Sequence, residues 1–140
     1  MEIPPHEVNL AKNLALGIRA QTAKWQGRRE AALELLAQIR PTARREEVSQ
    51  SPIYALTLER YLRADLLREL DRGEEALAWY ASMAQLSSFE LVFLGPSHMR
   101  RAEIYEGLGI REEAAAHYAR FIGLWKDADP QSQNWWRRRE

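Results

Sequence analysis

The segment Glu74-Glu75-Ala76-Leu77-Ala78-Trp79-Tyr80 returns as Glu112-Glu113-Ala114-Ala115-Ala116-His117-Tyr118, with Ala76 and Ala114 standing 38 positions apart. At the same offset Ala64 meets Ala102, Leu67 meets Tyr105 and Leu70 meets Leu108. A fainter earlier copy sets Ala20 against Ala102, Gly27 against Gly109, Ala32 against Ala114 and Leu36 against Tyr118. Self-similarity at such a period is the signature of an array, because each unit leaves an apolar face that only a neighbouring unit can cover. The small residue on the first helix of each unit (Ala20, Ala64, Ala102) and the one on the second (Ala32, Ala76, Ala114) allow close helix crossings.

Helical spacing of apolar residues runs through the whole chain, and the alternation of a half-buried strand is missing. Glu7 to Trp25 carries Leu10, Leu14, Ile18 and Trp25 in one stripe, and Gly27 breaks it. Glu30 to Arg40 reads as a second helix, stopped by Pro41. Thr42 to Gln50 is polar and reads as a loop, then Ser51-Pro52 reads as a cap opening a helix to Leu70 with Leu58, Leu62, Leu66 and Leu70 on one side. Asp71-Arg72-Gly73 is a turn, and Glu74-Glu75 begin a helix continuing through Leu86. Phe89 to Leu94 reads as a linker or an early helical turn packed on the core. The next helix, from Gly95-Pro96-Ser97 to Leu108, ends on Gly109 as a left-handed cap. The last helix, Glu112 to Lys126, has Ala115, Tyr118, Ile122 and Trp125 in its stripe. The predicted fold is all-α: an α-solenoid of three antiparallel helix pairs with a right-handed superhelical sense. It forms a single domain over residues 1–130, with repeats at about 7–40, 51–87 and 89–127, followed by a tail over 131–140.

Chemistry is harder to place. The 140 residues include 20 basic and 20 acidic side chains and no cysteine, which removes thiolate metal sites and cysteine nucleophiles and argues against nucleic acid as a partner. No apolar run approaches the roughly 18 to 20 residues of a membrane span, and the opening Met1-Glu2-Ile3-Pro4-Pro5-His6 lacks the order of a signal peptide. A cytoplasmic protein is therefore expected. His6, His98 and His117 are widely separated and lack metal-site spacing, with His117 expected to be partly exposed. Ser97-His98 reads as a helix start and not a nucleophile, and Glu74-Glu75 and Glu112-Glu113 as helix-start electrostatics and not an acid/base pair. No enzyme activity, cofactor or metal is expected.

The small-aromatic-glycine-alanine-aromatic order of Ala102, Tyr105, Gly109, Ala114 and Tyr118 resembles the tetratricopeptide repeat. The second copy has Ala64, Leu67, Ala76 and Tyr80 but Asp71 where glycine is usual, and the first has Ala23 in the aromatic slot. Tyr61-Leu62-Arg63-Ala64, Leu94-Gly95-Pro96-Ser97-His98 and Phe121 to Pro130 are also similar to C-terminal repeats of large bacterial signalling proteins, among them serine/threonine kinases and transcriptional activators. By that kinship the chain would be a detached sensor region.

The resemblance implies a concave groove lined by the first helix of each pair. On matching positions this gives Gln21 and Lys24, then Tyr61, Asp65 and Arg68, then Met99, Glu103 and Glu106. Such a mixed polar and aromatic face suits an extended peptide, with Tyr61 and Arg68 as the strongest contributors and Asp65 and Glu103 setting a preference for basic residues. The expected function is a non-enzymatic protein-interaction scaffold. The alternative is self-assembly into a homo-oligomer or filament through Phe89, Val92 and Phe93 or through Trp135 and Trp136. The tail Trp135-Trp136-Arg137-Arg138-Arg139 admits three readings: a cover for the end of the stack, a frayed terminus, or a nucleic-acid contact.

Overall fold

The structure, a computed structural model, describes residues 3–126. It is helical throughout, with no strand among the described residues. Among the described residues seven α-helices follow one another: α1 (Pro5–Trp25), α2 (Arg29–Ala37), α3 (Arg45–Gln50), α4 (Thr57–Glu69), α5 (Gly73–Ala81), α6 (Leu94–Gly107) and α7 (Arg111–Trp125), with a 3-10 helix over Ser88–Phe93. The chain divides into two compact units, one up to Phe93 and one from Leu94 onward. The expected single domain over 1–130 thus meets a division at Phe93, and each unit is described by itself.

Short connections make α1 pack on α2 and α4 on α5 in the first unit, and α6 on α7 in the second. The three connections share one geometry. Gly27, Asp71 and Gly109 hold left-handed backbone with φ of 77°, 58° and 76°. The next amide reaches back five residues each time: Arg28 to the Ala23 carbonyl (2.9 Å), Arg72 to Leu67 (2.8 Å) and Ile110 to Tyr105 (2.8 Å). This is the Schellman closure that satisfies the last carbonyls of a helix. None of α2, α5 and α7 has a side-chain cap. Glu30, Glu74 and Glu75, and Glu112 and Glu113 lie in their first turns, against the positive end of the dipole.

All six repeat alanines are buried: Ala20, Ala32, Ala64, Ala76 and Ala102 completely, Ala114 to 5% exposure. In the first unit Ala20, Ala23, Ala32, Leu36, Leu62 and Leu66 form one core cluster, which α4 joins by packing against both α1 and α2.

Several boundaries differ from the sequence reading. Residues 45–50 form α3 and not a loop; the Arg44 amide donates to Glu47 Oε2 (2.7 Å), closing the first turn of a helix that buries no residue. Ser51-Pro52 does not open the following helix. Its side chain accepts the Ile53 amide (3.2 Å) in a separate turn, and α4 starts only after Leu56, whose φ is 50°. The fifth helix ends at Ala81 and not Leu86, and Ala84 takes a left-handed conformation. The buried stripes are also displaced. On α1 they are Asn13, Gly17, Ala20 and Ala23, while Ile18 and Trp25 face outward. Leu58 on α4 and Ile122 on α7 are exposed as well. No helix of the described residues is long and apolar enough to cross a membrane.

Candidate functional site

The outward face of α1 and the adjoining face of α4 enclose an open concavity of about 390 Å³. From α1 come Gly17, Ile18, Gln21 and Lys24; from α4 come Leu58, Glu59, Tyr61, Leu62 and Asp65. Four of the five residues that the sequence assigns to this half of a groove (Gln21, Lys24, Tyr61 and Asp65) therefore line one surface. Arg68 is not in the lining; its guanidinium lies 3.7 Å from Asp65 Oδ1, one turn further along α4.

Most of the charges here are neutralised within the fold. Lys24 Nζ lies 2.9 Å from Glu69 and 3.8 Å from Asp65, and Arg29 closes on Glu69 at 2.8 Å. The buried Tyr80 hydroxyl donates to Asp65, and burial together with the Asp65 charge holds that phenol well above its usual range. Asp65, expected to select basic ligands, is thus occupied by Lys24, Arg68 and Tyr80. Tyr61 is braced from behind by Tyr80 (ring centroids 5.5 Å) and by Phe93 (5.0 Å).

Glu59 differs. Among the described residues no cation forms an ion pair with it. Burial pushes its carboxyl above the usual carboxylate range, partly offset by its own backbone amide. A Cβ placed on Gly17 would lie 2.5 Å from Glu59 Oε1 and 2.7 Å from its Cγ, so the missing side chain on α1 makes the recess this carboxylate occupies. The sequence reading passed over both residues. The available signal was a glycine in a helix interior, which costs about 1 kcal/mol against alanine and calls for a packing reason.

The second unit holds the other expected groove residues on α6. Met99 is half-buried, Glu103 pairs with Arg100 (2.9 Å), and Glu106 accepts the Tyr118 hydroxyl (2.8 Å). Here the separation of the histidines is corrected. Helix packing brings Nδ1 of His98 to 2.9 Å from Nδ1 of His117, and the rings stack. His117, expected to be partly exposed, is 1% exposed and stacks on Tyr105 as well. No group of three or more metal-ligating side chains exists among the described residues.

Of the residues proposed for self-association, Phe89 and Val92 are exposed while Phe93 is drawn onto Tyr61. Phe89 to Leu94, expected to be a linker or an early helical turn packed on the core, instead turns Phe89, Leu91 and Val92 outward from a 3-10 helix. Its buried residue is Glu90, wholly enclosed, accepting the Thr57 hydroxyl (2.8 Å) and paired with Arg60. Trp135 and Trp136 lie outside the described residues. A smaller cavity of about 170 Å³ lies beside Arg60, walled mainly by Leu36, Tyr54, Leu56 and Trp79 and touched by Glu59 and Arg63. Comparison with protein-family models, with curated proteins and with solved structures finds no match to this chain.

Proposed function

We propose that this chain is a tetratricopeptide-like module of the α-solenoid class, a non-enzymatic scaffold that binds an extended peptide segment of a protein partner on the α1/α4 face. The observation that carries this reading is the convergence of Gln21, Lys24, Tyr61 and Asp65 on one concavity whose rim is left apolar by Ile18 and Leu58, 69% and 68% exposed. Large apolar side chains held open on a rigid helical face, beside a polar amide and a braced aromatic ring, are what a peptide with alternating apolar and polar side chains needs. The repeat reading is supported by the three Schellman turns of equal geometry and by the six buried alanines.

Retention of a random decapeptide pool on the immobilised full chain tests the site. Ile18→Ser with Leu58→Ser should abolish retention without unfolding, since both side chains are exposed, while Glu75→Ala on an exposed position of α5 should leave it unchanged. Equal retention by all three proteins would place binding elsewhere.

A second reading, self-assembly, is favoured by Phe89, Leu91 and Val92, exposed to 57%, 58% and 72% on one short turn. Light scattering over a concentration series distinguishes the two: a mass rising with concentration, and abolished by Val92→Glu, would support assembly.

A further inference from the structure

Within the α1/α4 concavity the charges do not balance. Lys24 is matched by Glu69, and Asp65 by Lys24, Arg68 and the Tyr80 hydroxyl. Of the two acidic lining residues, Glu59 forms no ion pair with a cation among the described residues. Its position is nonetheless built with care. A carboxylate that is half-buried without a counter-ion is costly, and a glycine inside a long helix is costly too. Both occur at one contact, where Gly17 leaves the recess that Glu59 fills. A solvated surface glutamate needs neither. The two exposed aliphatic side chains, Ile18 and Leu58, are immediate sequence neighbours of these residues and line the same surface.

We infer that Glu59 is the specificity-determining residue of this site, and that the occupant is an extended peptide whose lysine or arginine lies across the Glu59 carboxylate, with apolar residues on Ile18 and Leu58. The inference rests on the peptide-binding reading given above. A basic side chain supplies what is missing: a long aliphatic stem to cover apolar surface and a cationic head that donates to the Glu59 oxygens. Gln21, whose side chain has no hydrogen-bond partner among the described residues, lines the same concavity and is placed to pair with the backbone of that segment. An acidic peptide would meet an uncompensated carboxylate in a partly desolvated site and be rejected. Asp65, expected from the sequence to set this preference, cannot select in this way because its oxygens are already engaged by Lys24, Arg68 and Tyr80.

The probes are decapeptide pools with random flanks and a central residue fixed as lysine, arginine, norleucine or glutamate. Binding of each to the full chain is measured by fluorescence anisotropy. The wild type should favour the lysine and arginine pools over norleucine by about tenfold, the effect of one charge-assisted hydrogen bond in a sheltered site, and over glutamate by more. Glu59→Gln, which preserves volume, should erase that preference while leaving the norleucine pool bound as before. Glu59→Lys should invert it. Gly17→Ala keeps the carboxylate but displaces it, so it should weaken the preference severalfold; circular dichroism checks that the helices persist. A wild type that binds all four pools equally, or a Glu59→Gln variant with undiminished preference for the basic pools, would overturn the inference and leave the peptide-binding site standing. Failure of every pool to bind would remove both.

Discussion

Nδ1 of His98 on α6 lies 2.9 Å from Nδ1 of His117 on α7, so one imidazole must donate its proton and the other must stay unprotonated at that nitrogen. His117 is enclosed, and Arg101, His98 and Arg120 are the charged or titratable groups around it. Burial first, then these cations, push His117 down to about 4 from an ordinary value of 6.5. His98 is lowered as well, by burial and by Arg101 and Arg120. The folded state prefers the neutral rings. Their contribution to stability is therefore complete above pH 6.5 and is lost progressively as pH falls towards 4. About 3 kcal/mol should disappear across that window through His117, a tenfold change in proton affinity being worth about 1.4 kcal/mol. His117→Phe keeps the ring and its stack on Tyr105 but has no proton to take up. Denaturation midpoints at pH 7.5 and 4.5 should converge for this variant relative to wild type, and an unchanged acid sensitivity would assign it to other groups.

Ala114 is buried on α7, which packs against α6, the helix that carries the fully buried Ala102. Ala114→Leu forces three extra carbons into that interface and should cost about 1 to 3 kcal/mol. Glu112→Ala, an exposed position two residues earlier, should stay within about 0.5 kcal/mol. Urea denaturation of both variants followed by circular dichroism is the check.

The contrast between Ala114 and Ile122 shows how far the sequence could be read. Small residues recurring at intervals of 44 and 38 positions marked a buried place on each of the six paired helices, because a close helix interface accepts only small volumes. Large apolar residues misled for the same reason. Treating size as a marker of burial put Ile18, Trp25, Leu58 and Ile122 inside, whereas α1 buries Asn13, Gly17, Ala20 and Ala23. Asn13 tolerates burial because its amide exchanges two 3.0 Å hydrogen bonds with the backbone of Arg40, a pairing that nothing in local sequence announces. Half of the candidate site was legible. Positions 21, 24, 61 and 65 come from the groove that the tetratricopeptide resemblance implies, carried over onto matching positions of this chain. Whether a given charge is free depends on partners such as Glu69 and Tyr80, brought in from other elements, and so Asp65 was favoured where Glu59 is the unpaired group.

Glu90 and Arg60 give a further test. Glu90 is wholly buried and paired with Arg60, whose guanidinium also donates to the carbonyls of Ala55 (2.9 Å) and Ser82 (3.0 Å). This pair ties the 3-10 turn to the start of α4. Glu90→Ala leaves an uncompensated cation in a largely enclosed place and should cost about 3 kcal/mol. Replacing both partners, Arg60→Met with Glu90→Leu, should cost much less than the sum of the single changes, because burying the pair carries its own desolvation penalty. A double-mutant cycle by equilibrium denaturation measures this, and additive effects would show that the contact contributes nothing.

Asp71 holds the position that Gly27 and Gly109 hold in the other two helix connections, with the same closure of the next amide onto the carbonyl five residues back. A side chain in left-handed backbone costs roughly 1 kcal/mol, less for aspartate than for most residues, because its carboxylate can bond locally. Asp71→Gly should therefore stabilise the α4–α5 connection, by up to about 1 kcal/mol, with part of the gain lost to the greater freedom of glycine in the unfolded chain. Gly109→Ala should do the reverse in the α6–α7 connection. Among the described residues beyond its chain neighbours no atom lies within 4 Å of the added methyl group, so backbone strain and not crowding is the cause. Opposite shifts of the denaturation midpoint, each on the order of 1 kcal/mol, would establish that the three turns are one device used three times. Shifts of the same sign would mean that Asp71 makes a compensating interaction that glycine cannot.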